Sequence, residues 1–182
     1  MEMAKINASL SALDNLLALV NAANTGQTIT NTQVTAGAPS VKSDTGDGRN
    51  TTVALTAVGG QGYTGSVSVN YTRRGLNDSV LSPVDSYTAT TGTTAADIVT
   101  ALAAQLGLVA SEVHLEDPAD PGVALSGAQS GNQATLDLVA NAGSLLYVDG
   151  SLQAIAMTWQ APQVALSTAV ATTDLSGFDA AS

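Results

Sequence analysis

The chain's one histidine lies in "SEVHLEDPAD", residues 111–120, where a β-strand would set Glu112, His114 and Glu116 on one face and Val113 and Leu115 on the other. One imidazole and two carboxylates form a ligand set for a divalent metal ion. In so acidic a chain the commoner outcome of that pattern is a solvated strand face, so the expectation is no metal and no cofactor. "SDTGDGRN", residues 43–50, sets Asp44 and Asp47 among glycines. It lacks the alternating oxygen ligands and closing glutamate of a calcium loop and reads as a polar turn. "GGQG" at 59–62 joins two strands instead of opening a helix and has no lysine after it, so it is a hairpin turn and not a phosphate cradle. With no cysteine, and no serine organised with His114 and an acid, no catalytic set emerges and the chain reads as non-enzymatic.

The other concentration of chemistry is "GYTGSVSVNYTRRGL", residues 62–76, which gathers two tyrosines and two adjacent arginines in a chain with only five Lys and Arg. Guanidiniums pair bidentately with carboxylates better than lysines do, so Arg73 and Arg74 are expected at an interface with another subunit. The local alternative is a pair with Asp78 or Asp85. The formal charge of −10 disfavours a nucleic-acid or anionic-membrane partner, since too few cations exist to neutralise phosphates.

These residues must be held by a core of small side chains, because aromatics are 3% while hydrophobic residues are 45% of the chain. The N-terminal "MEMAKINASLSALDNLLALVNAAN" has apolar residues at helical spacing broken by charges, so it reads as an amphipathic helix and not as a signal or membrane span. Folding in a cytoplasm is the default expectation.

Two capping-box patterns, Ser11 to Asp14 and Thr94 to Asp97, stand at the head of helical stripes. Leu13, Leu16, Leu17, Leu19 and Val20 follow the first, and Ile98, Val99, Leu102 and Leu106 the second. Downstream, "ITNTQVT" (29–35) aligns with "LVASEVH" (108–114), "TVALTA" (52–57) with "TLDLVA" (135–140), and Tyr63 and Ser66 with Tyr147 and Ser151. Each half therefore predicts helix, short strand, loop, strand, tight turn, strand. In the first hairpin Val67, Val69 and Tyr71 would form the buried face. In the second, "LQAIAMTW" is apolar on both faces and predicts a central strand.

The expected fold is α+β: two pseudo-repeats, each one helix plus a short-stranded, mainly antiparallel sheet, with an extended C-terminal tail. The first repeat spans 1–76, a linker with a possible strand near Val84 to Thr88 spans 77–92, the second repeat spans 93–160, and the tail spans 161–182. The spacing leaves open whether the halves share one sheet. Leu175 and Phe178 in the tail are candidate interface residues: the tail would lie across a neighbouring subunit or, as the alternative, across its own domain.

The order of "LDNLLALVNAANTGQTITNTQVTAGAP", "GRNTTVALTAVGGQGYTGSVSVNYTRRGL" and "TAADIVTALAAQLGLVASEVHLED" resembles modules in virion structural proteins of large tailed bacteriophages, over about residues 9–160. The resemblance implies a structural part in a virion, with a major capsid protein or other virion proteins as partners and homo-oligomerisation, and carries over no catalytic residue. An acidic chain suits decoration of the head exterior, away from packaged DNA. The alternatives are a tail-tube or other tail or baseplate protein, and a carbohydrate- or surface-binding module using Tyr63, Tyr147 and Trp159 as stacking platforms.

Overall fold

The computed structural model describes residues 5–43, 46–77, 86–90, 93–116, 133–160 and 166–170, with the backbone alone at 86–90, 133–135, 152, 156–160 and 167–168. The expectations for Asp44, Asp78, Asp85, Leu175, Phe178 and the side chain of Trp159 lie outside these described residues.

Helix α1 (Ala12–Ala23) begins where the Ser11 hydroxyl accepts from the Asp14 N–H and donates to its carboxylate at 2.6 Å. Helix α2 (Ala95–Leu106) has the full reciprocal box, with the Asp97 carboxylate also accepting from the Thr94 N–H at 2.9 Å. It ends at Gly107, whose φ of 68° is the left-handed conformation that closes a helix. Leu16 and Leu17 of α1 are buried and Leu13 and Val20 half-buried. Leu19 departs from the expected stripe and is 37% exposed.

The strands form two separate four-stranded sheets, which answers the question the spacing left open. In the first, β3 (Thr51–Ala57) pairs on one side with β4 (Ser66–Tyr71). On its other side it pairs with two short pieces, β1 (Val34–Ala36) and β2 (Ser40–Val41). All these pairings are antiparallel. The register runs Ala36 to Leu55 and then Ser40 to Thr52, so the pieces are offset by one extra residue around Gly37 to Pro39, a bulge that bends this edge.

In the second sheet, β5 (Ser86–Thr90), β8 (Leu152–Gln160), β7 (Gln133–Ala140) and β6 (Val113–Leu115) lie in that order. β8 is internal, as its composition predicts. The strand expected near Val84 to Thr88 is β5, starting two residues later and pairing parallel to β8, so this sheet is mixed. The halves share a helix, a short strand and two long strands in that order, with the short β2 added in the first half only, and Val34 meets Ala57 as Val113 meets Ala140. They diverge at β5, which has no counterpart in the first sheet. Within the stretch read as an extended tail, Leu166–Ala169 make one helical turn, α3.

Each helix closes over its own sheet. Leu16, Leu17, Val34, Val53, Leu55 and Tyr71 form one core. The larger core gathers α2 with Val113, Leu115, Leu136, Leu138, Tyr147 and Ile155. The cores are stitched across the sequence boundary: Leu76, at the end of the first repeat as read, is fully buried in the second core, and Leu145 packs against the first.

Candidate functional site

Arg73 is not on the surface. Its side chain is 4% exposed, and its head group spans the seam between the halves. Nε donates to Thr51 Oγ1 at 3.0 Å, and Nη1 donates to the Ser144 carbonyl at 2.9 Å and to the Asp149 carboxylate. Asn50 clamps the backbone of the same residue, accepting from its N–H at 2.9 Å and donating to its carbonyl at 3.0 Å. The expected contact between subunits is thus corrected to one within the chain, for a physical reason: a planar five-donor group can satisfy three acceptors at once and so tolerates burial. Arg74 is half-buried and joins the seam through its backbone, donating to Leu146 O at 3.0 Å and accepting from Val148 N at 2.7 Å.

The tyrosines serve the same seam. Tyr71 Oη donates to the Leu145 carbonyl at 2.8 Å, and burial pushes its phenol up to about 12 although Arg73 nearby opposes the shift. Tyr147 is fully buried and accepts from the Val109 N–H at 3.1 Å, and its phenol too is raised by burial. A side chain with no exposed surface cannot stack on a sugar, so Tyr147 is removed from the expected carbohydrate platform. Tyr63 is half-buried in the β3–β4 turn.

Glu112, His114 and Glu116 are not brought together. Glu112 falls in a short 3-10 turn before β6, and its carboxylate accepts from Ser144 Oγ at 2.6 Å and Leu145 N at 2.9 Å. His114 Nδ1 lies 2.6 Å from Asn141 Oδ1, and Glu116 is exposed past the strand end. Among the described residues no group of three His, Asp or Glu is placed to hold a metal ion. Asp47 is likewise committed: the Arg49 N–H and guanidinium, with Lys42 at 3.2 Å, hold its carboxyl far below the usual carboxylate range.

Among the described residues an uncharged surface is also open to a partner. From Asn15 to Val41 and from Asn50 to Thr72 the sequence has no charged residue, in a chain of net charge −10. These stretches supply nearly all of α1 and the whole first sheet. On the sheet face away from the core, Ser40, Thr52 and Asn70 stand in one row and Thr35, Thr56 and Ser66 in another, all but half-buried Thr52 exposed. At the β4 edge, Val67 is 60% exposed although its cross-strand partner Leu55 is buried. Beside it runs a shallow groove between α1 and β4, lined by Leu16, Leu19, Val20, Ala23, Val69 and Tyr71. Charge-free runs were visible in the sequence and are the signal that points here.

No helix among the described residues is long and apolar enough to cross a membrane. The profile of one family, described as a family of unknown function (DUF7941), matches residues 7–181. No curated protein and no solved structure matches the chain.

Proposed function

The chain belongs to this family of unknown function, and we propose that it is a non-enzymatic structural subunit of a tailed bacteriophage particle, carried in many copies on the head exterior as a decoration protein. One observation carries the reading: Arg73, Glu112 and His114 are bonded within the chain, while the outer face of the first sheet and its β4 edge are open and uncharged. A flat surface of small hydroxyls and aliphatics makes many weak contacts, and a symmetric shell turns weak contacts into stable attachment through multivalency. The acidic remainder keeps the subunit off nucleic acid, as suits the outside of a filled head.

The resemblance of residues 9–160 to virion modules of large tailed phages supports a place in the virion. A tail-tube subunit is the other virion role, and it calls for a long continuous sheet closing into a ring; the two four-stranded sheets here are separate. The test is to locate the chain in a reconstruction of the intact particle at a resolution that resolves its helices. Density for it at regular sites over the capsid lattice is the expected result; density along the tail, or none in the particle, overturns the proposal.

A further inference from the structure

Resting on that assembly role, we propose that the free edge of β4 is a self-association site, where two copies pair their β4 strands antiparallel about a two-fold axis normal to the sheet. Exposed strand edges invite pairing, and proteins usually blunt them. The opposite edge of this sheet is blunted, broken into β1 and β2 by the bulge that contains Pro39. In the second sheet, edge strand β6 has three residues and is flanked by Glu112 and Glu116, and the other edge, β5, has five residues and follows Asp85 in the sequence. β4 has six residues, "SVSVNY", with no charge, proline or bulge, and among the described residues it pairs only with β3.

The direction of its backbone groups fixes how a partner would dock. The Ala57 N–H donates to the Gly65 carbonyl at 2.9 Å, so by the alternation of an antiparallel ladder Val67, Val69 and Tyr71 face β3. Ser66, Ser68 and Asn70 turn their N–H and C=O groups outward. A two-fold axis normal to the sheet keeps core face with core face only when residues of the same parity oppose each other. The register centred on the strand puts Ser68 opposite its own copy and Ser66 opposite Asn70. All the outward groups of these three residues are then bonded.

That register also accounts for three apolar features that the described residues leave uncovered. Val67 of one copy stands against Val69 of the other, at the closely spaced non-hydrogen-bonded position. It there enters the groove between α1 and β4, where Leu19 is exposed. Leu19, Val67 and the groove are covered by one partner. The occupant is a second copy and not an unrelated acidic or basic partner because the surface is charge-free on both sides. Two molecules of charge −10 repel over most other approaches and meet no opposing charge here.

The test uses the full chain. Sedimentation velocity over a concentration series is expected to show a dimer, with Val67→Lys weakening association by at least about tenfold while leaving unchanged the melting temperature measured at concentrations where both proteins are monomeric. Ser68→Pro removes an outward N–H without touching the β3 ladder and is expected to do the same. Because the chain has no cysteine, Ser68→Cys can be joined by a short bis-maleimide. Ala54→Cys on the middle strand cannot, since its copies lie about 14 Å apart across three strand spacings. A monomer at all concentrations, an unaffected dimer in Val67→Lys and Ser68→Pro, or equal linking at Ala54 overturns the inference. So does hydrogen exchange showing Ser68 protected in a monomer, which would place a segment of the same chain on the edge. A chain found on the capsid but failing these tests sinks the pairing and leaves the particle role standing; a β4 dimer absent from the particle does the reverse.

Discussion

Arg73 and Asp149 lie 76 positions apart, yet their side chains form an ion pair at the seam between the two sheets, with the arginine 4% and the aspartate 46% exposed. The asymmetry of burial predicts an asymmetry of cost. Asp149→Ala leaves a buried cation with only neutral acceptors, and is expected to cost about 2–4 kcal/mol. Arg73→Met leaves the carboxylate half in water and strands only neutral acceptors, for about 1–3 kcal/mol. Urea unfolding of both variants and the double variant checks this. The double should resemble Arg73→Met, and a costlier Arg73→Met than Asp149→Ala would show that the desolvated cation does not set the balance.

Tyr71 predicts an alkaline limit on stability. Its phenol is raised from 10.0 to about 12, chiefly by burial, so folding favours the protonated form. The corresponding stability is fully present below pH 10 and is lost as pH rises through about 12. Tyr71→Phe should lower stability at pH 7 by about 1 kcal/mol through loss of the bond to Leu145 O, and flatten the alkaline decline. Melting temperatures of the two proteins between pH 8 and pH 12 should converge; curves that stay parallel would assign the decline elsewhere.

The helices were legible because their signals are local: a hydroxyl, an acid three residues on, and an apolar stripe name α1 and α2 to the residue at their N-termini. β8 was legible as central from apolar residues on both faces, and β6 from Val113. Arg73 was not legible, since its partners Thr51, Ser144 and Asp149 are distant in sequence and no local pattern marks a seam. Alternation predicts a buried Val67 because it gives the face of a strand but not how far the core beneath it extends. The bidentate asparagines were also missed: Asn15 closes on Asn7, Asn21 on Ile29 and Asn50 on Arg73. An amide presents a donor and an acceptor as a strand does, so it can pair with a loop backbone where no strand is available.

Thr94 predicts a linked acid dependence. Its hydroxyl and N–H hold the Asp97 carboxyl below its ordinary value of 3.8, so the capping box contributes stability above that pH and loses it as pH falls below. Thr94→Ala should lower stability at neutral pH by about 1 kcal/mol. The gap between variant and parent should narrow in acid, as followed by thermal melting between pH 7 and pH 2. A constant gap would mean that the Asp97 half of the box contributes nothing.

The two halves should unfold as one cooperative unit. Two sheets with two cores invite the expectation of independent unfolding, but the cores exchange residues: Leu76 is fully buried in the second and Leu145 packs against the first. Arg73, Arg74 and Tyr71 add backbone and side-chain bonds across the same seam. Opening one half would expose Leu76 or Leu145 and strand the Arg73 cation, so a half-folded state is costly in either order. The only tryptophan, Trp159, lies on β8 and reports the second half, whereas far-UV circular dichroism reports both. Their unfolding curves should coincide, and Leu76→Ala, expected to cost about 2–5 kcal/mol, should shift both together. Fluorescence that changes at a separate midpoint would show that the seam holds two autonomous units side by side.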